Sequence, residues 1–186
     1  MSTALILIDI QNDYFTGGKM ELVGSMQASS AAARLLGAFR KQNWSVYHVQ
    51  HVSSQPGASF FLPETTGVGI HESVRPLPGE PVIIKQFPNS FRDTDLLERL
   101  KADNVGSLLI CGMMSHMCVD ATVRAAFDLG FSCILTHDAC AARDLTFNGT
   151  TVPAAQVHAS YMAALGAVYA QVKSADEILE NMSAPE

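Results

Sequence analysis

The stretch SLLICGMMSHMCVDATVRAAFDLG, residues 107–130, decides the fold class. It opens with a continuous apolar run, Leu-Leu-Ile-Cys, which is typical of a strand that is covered on both faces. Val119, Val123 and Ala126 then recur at helical spacing, and Gly130 stands where that helix should end. A buried strand that leads directly into a helix is typical of an α/β domain with a parallel sheet.

Short apolar runs alternate with helical patterns over the rest of the chain as well. The strands that they predict cover residues 4–9, 45–52, 82–85, 107–112, 132–137 and 167–172. The other helical patterns contain Leu35, Leu36 and Phe39, then Leu96, Leu97 and Leu100, a run from Pro153 to Gly166, and a final capping box of Ser174 and Glu177. We therefore expect a single α/β domain over residues 1–186, with three αβα layers around a six-stranded, mostly parallel sheet in a Rossmann-like arrangement.

The composition excludes several classes of protein. Of the 186 residues, 48% are hydrophobic and 16% are charged, which is incompatible with global disorder. The net charge is −6 and no block of like charges stands out, so we expect neither a nucleic-acid partner nor a membrane surface. The apolar runs are far shorter than the roughly 20 residues of a spanning helix. Without a signal-peptide pattern, we expect a cytoplasmic protein.

The four cysteines stand at positions 111, 118, 133 and 140, and no Cys-x-x-Cys pair occurs. This spacing argues against a zinc ribbon or a dithiol redox site. An apolar core of this size needs no disulfides, so we expect free thiols.

Three reactive side chains follow predicted strands at the carboxyl edge of the sheet, where ligands bind in such folds. Asp9 ends the first strand, Lys85 ends the third, and Cys118 lies where the fourth strand passes into its helix. Each has an ordinary structural interpretation: a turn cap, a lysine extending to water, and a core thiol. A cysteine at a helix start beside an ammonium is also expected to have a lowered pKa and to ionise readily. We favour an Asp–Lys–Cys catalytic group because all three structural interpretations would have to hold together.

Three segments carry a family resemblance: residues 7–15 (LIDIQNDYF), 84–91 (IKQFPNSF) and 112–130. In this order and spacing they resemble the isochorismatase-like cysteine hydrolases, a superfamily of nicotinamidases, N-carbamoylsarcosine and ureidoacrylate amidohydrolases, and isochorismatases. The resemblance implies the isochorismatase-type fold and a catalytic triad of Asp9, Lys85 and Cys118. It also implies a cis peptide bond from Met113 to Met114, which would turn the Met114 N–H toward the Cys118 N–H as an oxyanion hole. A homo-oligomer, dimer or tetramer, is expected by the same analogy.

Two departures from the superfamily narrow the expected chemistry. Nicotinamidases carry a metal-binding Asp-x-His after the second strand, whereas the counterpart here is His51-Val52-Ser53. Isochorismatases that cleave an enol ether commonly lack the cysteine, whereas Cys118 is present. We therefore expect a hydrolase without metal or cofactor that cleaves an amide, ureido or carbamoyl C–N bond through a Cys118 thioester. Hydrolysis of another bond, or a catalytically silent binding or assembly protein, stays open. A nucleotide-binding module is disfavoured because no Gly-x-Gly-x-x-Gly follows the first strand.

Aromatic side chains near the predicted strand ends suggest a small apolar or planar substrate. Phe15, Phe61 and Phe87 are the candidates for contact with it, together with His116, two residues before the cysteine. Residues 53–81 are rich in Gly and Pro and too long for an idle connection, so we expect this loop to help build the site.

Overall fold

Six parallel strands form the central sheet of the computed structural model, which describes residues 2–183. In chain order the strands are β1 Ser2–Ile8, β2 Val46–His51, β3 Val82–Lys85, β4 Val105–Met113, β5 Ser132–Ala141, β6 Leu145–Phe147, β7 Thr150–Val152 and β8 Gln171–Lys173. The sheet runs in the order β3-β2-β1-β4-β5-β8, and each adjacent pair is parallel. The predicted fold class is therefore confirmed.

Helices cover both faces of the sheet. They are α1 Ser25–Lys41, α2 Leu96–Ala102, α3 Asp120–Asp128, α4 Ala154–Val168 and α5 Ala175–Ser183. Alternate residues of β1 point to opposite faces, so Leu5 and Leu7 pack in a cluster with α1 and α5. Ile6 and Ile8 belong to a second cluster, which α2, α3 and α4 close. At the carboxyl edge of the sheet, β1 passes into Asp9.

Three elements differ from the sequence-based expectations, and the first is β5, which continues past residue 137 to Ala141. The last sheet strand is Gln171–Lys173 rather than 167–172, because α4 continues past Gly166 to Val168. A Cβ on Gly166 would lie 3.1 Å from Val172 Cγ2, so this glycine allows close packing of α4 on β8 and does not end the helix. The hairpin of β6 and β7 was not predicted, although Asn148 and Gly149 at its turn are a strong hairpin signal.

Other expectations on the fold are confirmed. The backbone N–H of Ser174 donates to Glu177 Oε2 at 2.7 Å, and the Glu177 N–H donates to Ser174 Oγ at 3.2 Å, which is the predicted capping box. All four cysteines are free and buried. Among residues 2–183, no helix is both long enough and apolar enough to span a membrane.

Candidate active site

The structure brings Asp9, Lys85 and Cys118 together at the carboxyl edge of the sheet. Lys85 Nζ lies 2.7 Å from Asp9 Oδ2, and both side chains are fully buried. Cys118 Sγ, a carboxylate oxygen of Asp9 and a ring nitrogen of His51 all lie within 4.8 Å of one another. An acid, an amine and a thiol from three different strand ends therefore share one small volume.

Cys118 lies in a single π-helical turn, Ser115–Val119, between β4 and α3. Such turns are rare and often mark functional sites. The carbonyl of Met114 accepts hydrogen bonds from the N–H groups of Met117, at 3.0 Å, and Val119, at 3.3 Å. The bond between Met113 and Met114 is cis, as the resemblance implied. The backbone thus folds tightly around the cysteine, two residues before α3 begins.

Ser115 fixes this turn to its neighbours. Its buried hydroxyl donates to the carbonyl oxygen of Ala141, at the end of β5, over 3.1 Å. The same oxygen lies 2.9 Å from Nδ1 of His158 on α4. The position of the cysteine is therefore tied to the sheet and to a helix on one face.

The electrostatic environment of Cys118 corrects one expectation. Burial raises the pKa of the Cys118 thiol, and the negative charge of Asp9 raises it further, while Lys85 opposes both. The prediction of a lowered pKa was wrong because desolvation of a nearly fully buried thiol outweighs one neighbouring ammonium. At neutral pH the raised pKa favours the thiol of Cys118 over its thiolate.

Lys85 keeps its charge in this buried place. Burial alone would lower the pKa of Lys85, but Asp9 and Cys118 outweigh it and raise the pKa above its ordinary value. An ammonium ion therefore stands beside the carboxylate and the thiol at neutral pH.

The donor atoms of Asp9, His51 and Cys118 are close enough to suggest a metal site, but the chemistry of the cluster does not fit one. Lys85 Nζ lies 2.7 Å from Asp9 and 3.1 Å from His51 Nδ1. The ammonium thus already supplies the positive charge on which these donors converge, and a divalent cation beside it would be repelled.

The structure places the four predicted substrate-binding residues in different surroundings. Phe61 is fully buried and its ring lies 4.6 Å from that of Tyr14 and 6.0 Å from that of His51. Phe15 is buried and stacks on His71, with ring centroids 3.7 Å apart. Phe61 thus lies beside the triad, in the core, and Phe15 packs on the long loop.

Phe87 and His116 are the other two. The guanidinium of Arg92 covers the half-buried ring of Phe87 at 3.6 Å from its centroid. His116 is buried, in an edge contact with Tyr161, and burial together with Arg143 lowers its pKa. Contact of all four residues with a substrate stays a prediction.

Residues of the site that sequence analysis missed include Tyr14 and Arg143. Burial raises the pKa of Tyr14, and the charges of Cys118 and Asp9 raise it further, while its ring packs on that of Phe61. The exposed Arg143 acts on the same group in the opposite sense. The signal for both was their position, in the segments that follow β1 and β5 at the edge where the triad lies.

The loop of residues 53–81 packs against the turn that follows Asp9. Asp13 Oδ2 accepts the Phe61 N–H at 2.6 Å, and the Asp13 N–H donates to the Gly67 carbonyl at 3.0 Å. A Cβ on Gly67 would lie 2.1 Å from the Asp13 carboxylate, so only glycine fits there. The loop is held in place beside the triad by these contacts.

Comparisons with known proteins agree with this architecture. The model of the isochorismatase domain matches residues 3–169. The uncharacterized isochorismatase family protein YddQ of Bacillus subtilis is 52% identical over 97% of this chain and 100% of its own. The ureidoacrylate amidohydrolase RutB of Cronobacter sakazakii is 26% identical over 74% of this chain and 73% of its own.

A solved structure gives the same result. The crystal structure of a candidate isochorismatase hydrolase from Oleispira antarctica superposes with a TM-score of 0.92 at 52% identity, covering 96% of each chain. The domain match over residues 3–169 and the identity to these relatives lead to one conclusion: this chain belongs to the isochorismatase family of hydrolases.

Proposed function

We propose that this protein is a metal-independent cysteine hydrolase that cleaves an amide, ureido or carbamoyl C–N bond of a small molecule. One observation carries the proposal: the buried Lys85 ammonium, 2.7 Å from Asp9, in a cluster that also holds the Cys118 thiol. The name of the RutB relative, an amidohydrolase, supports the choice of bond.

The first half of the reaction forms a thioester. Asp9 takes the proton of the Cys118 thiol as the sulfur attacks the substrate carbonyl carbon, and the Lys85 ammonium stabilises the developing thiolate. The N–H groups of Met114 and Cys118 receive the negative oxygen of the tetrahedral intermediate, where one donor is typically worth about 3 kcal/mol. Asp9 then gives its proton to the leaving nitrogen and the C–N bond breaks.

The second half regenerates the enzyme. Water attacks the thioester carbonyl while Asp9 accepts one of the water protons. The carbon–sulfur bond then breaks, and Cys118 leaves as a thiolate. Asp9 returns the proton to that sulfur. The raised pKa of Cys118 fits this scheme because the thiolate exists only while Lys85 and the reacting carbonyl stabilise it.

An ammonia-release screen tests the proposal. Small primary amides, ureas and carbamoyl compounds are incubated with wild-type protein and with the Cys118→Ala variant as control. We expect ammonia from at least one class with wild type alone, at an unchanged rate in the presence of a chelator or of added zinc. Turnover that survives in Cys118→Ala, or that needs a divalent metal, would contradict the proposal. Binding without turnover across the screen would favour a catalytically silent protein.

A further inference from the structure

Lys85 reaches the triad across an intervening strand. In the sheet order, β2 lies between β3, which ends at Lys85, and β1, which leads into Asp9. The residue of β2 in register with Lys85 is His51, the last residue of that strand. Register partners on parallel strands point to the same face, so the imidazole lies beside the path of the lysine side chain.

The ammonium of Lys85 has two close partners in the site. Asp9 Oδ2 lies at 2.7 Å and His51 Nδ1 at 3.1 Å from Nζ, and the Cys118 sulfur lies within 4.8 Å of an Asp9 carboxylate oxygen and a His51 ring nitrogen. Lys85 is 1% exposed, so water cannot replace a lost partner without entering the site. Without His51, one N–H would be unsatisfied in the interior, which is costly enough to make the ammonium move.

The main chain of His51 is held from both sides by one buried side chain. Gln11 Oε1 accepts the His51 N–H at 2.8 Å, and Gln11 Nε2 donates to the His51 carbonyl at 2.9 Å. The second N–H of the same amide donates to the Val68 carbonyl at 2.7 Å. The imidazole is therefore placed by a rigid frame and not by packing alone.

His51 is in the state that this contact requires. Nδ1 can accept from an ammonium only through its lone pair, which puts the ring proton on Nε2. Burial lowers the pKa of His51, and the charge of Lys85 lowers it further, although Asp9 opposes both. The ring is neutral at neutral pH.

We propose that His51 is a positioning residue, whose Nδ1 holds the Lys85 ammonium against Cys118. The inference rests on the proposed function for the role of Cys118 as nucleophile. The placement of the Lys85 ammonium at the Cys118 thiol can be measured without any substrate.

The test compares His51→Leu with His51→Asn by the rate of Cys118 alkylation with iodoacetamide. Asn puts Oδ1 where the imidazole has Nδ1 and keeps an acceptor, whereas Leu removes it. We expect His51→Leu to slow labelling of Cys118 about tenfold near neutral pH, the effect of one unit in pKa, and His51→Asn to stay within about twofold to threefold of wild type. Peptide mapping of Cys111, Cys133 and Cys140 is the internal control, because loss of fold would speed the labelling of all four thiols.

Equal labelling rates in His51→Leu and wild type, or equal slowing in His51→Leu and His51→Asn, would overturn the inference. If His51→Leu exposes all four thiols, His51→Phe replaces it, since the ring shape is kept and only the acceptor is lost; normal Cys118 labelling there would overturn the inference too. Failure of the proposed function looks different: the Cys118 labelling rates of the variants would differ as expected above, and yet the wild-type protein would release no ammonia. With a substrate in hand, we expect His51→Leu to lower kcat and to leave KM nearly unchanged.

Discussion

The buried site of Cys118 disfavours the thiolate form of its side chain. Burial and Asp9 raise its pKa, and only Lys85 acts in the other direction. We therefore expect alkylation of the resting Cys118 to be slow at neutral pH, because alkylation needs the thiolate. In the proposed mechanism, the proton therefore passes to Asp9 in the same step as attack.

Replacing Cys118 should remove turnover without removing the fold. Cys118→Ala deletes one sulfur atom from a helical turn that tolerates alanine, so the melting temperature should fall by a few degrees at most. Activity should fall below detection in both Cys118→Ala and Cys118→Ser. Thermal melts beside the ammonia assay check this, and a parallel loss of activity and secondary structure would mark Cys118 as a core residue only.

Removing the charge of Lys85 should also lower the reactivity of Cys118. In Lys85→Met the cation that lowers the pKa of Cys118 is gone, so that pKa rises further and alkylation slows at every pH below it. Turnover should fall by orders of magnitude, and Lys85→Arg should not rescue it because a planar guanidinium does not replace a compact ammonium. The measurement is the pH profile of iodoacetamide labelling at Cys118.

A control is needed because Lys85→Met leaves Asp9 buried and unpaired. The double variant Asp9→Asn, Lys85→Met removes both charges, so it should fold normally and stay inactive. Superimposable labelling profiles for wild type and Lys85→Met would exclude Lys85 from the mechanism.

The sequence could place Asp9, Lys85 and Cys118 together because the ends of parallel strands meet at one edge. It could not show whether burial or the neighbouring ammonium has the larger effect on the pKa of Cys118, since burial depends on how the whole edge packs. The role of His51 was missed for a similar reason. The sequence shows two histidines, His48 and His51, on one strand, but only the register between β2 and β3 shows that His51 faces Lys85.

At the scale of elements, β1 and β4 approach closely at the residue that leads into Asp9. Gly112 pairs with Ile8 and has a φ of +133°, and a Cβ there would lie 2.0 Å from the Ile8 carbonyl oxygen. A side chain at this position would have to push the two strands apart. Asp9 would move with Ile8, so this glycine belongs to the geometry of the site.

Gly112→Ala should therefore destabilise the protein and lower its activity. Overpacking against backbone together with a strained φ should cost about 3 kcal/mol or more in the free energy of unfolding. Gly37→Ala is the matched control, since its Cβ meets no atom within 4 Å and lies on the exposed side of α1. That variant should gain about 0.5–1 kcal/mol. Urea unfolding measures both, and equal stabilities of the two variants would contradict this account of the β1–β4 contact.

The strand and helix order was predictable because each element carries its own apolar pattern. The end of α4 was not, because Gly166 serves a contact with β8 that exists only in the folded chain. The β6–β7 hairpin was missed for a different reason: its strands are three residues each, largely exposed, and too short to show a period.

In the molecule as a whole, the buried thiols make the free energy of unfolding fall as the pH rises through the alkaline range. Burial raises the pKa of Cys133 to about 11 and that of Cys140 to about 12, against an ordinary 9.0. Between pH 9.0 and the raised pKa of each thiol, the folded chain keeps a thiol proton that the unfolded chain releases. The stabilisation is complete below about pH 9 and is lost as the pH rises toward 11 and 12, by at most about 1.4 kcal/mol per thiol per pH unit.

Urea unfolding between about pH 7 and pH 10.5 should show this loss. The variant Cys133→Ala, Cys140→Ala should be less stable at neutral pH and yet lose less stability over the alkaline range. An equal slope in the double variant would show that tyrosines or other groups, and not these thiols, cause the loss.

A covalent intermediate on Cys118 can be detected directly by mass spectrometry. A substrate from the ammonia screen is mixed with the protein, the reaction is quenched in acid during turnover, and the intact mass is followed by peptide mapping. We expect an added acyl mass on the peptide that contains Cys118, absent from Cys118→Ala and lost on treatment with hydroxylamine. An acyl group found only on another residue would contradict the thioester mechanism. Turnover with no adduct at any quench time would also contradict it for a substrate whose thioester forms faster than it is hydrolysed.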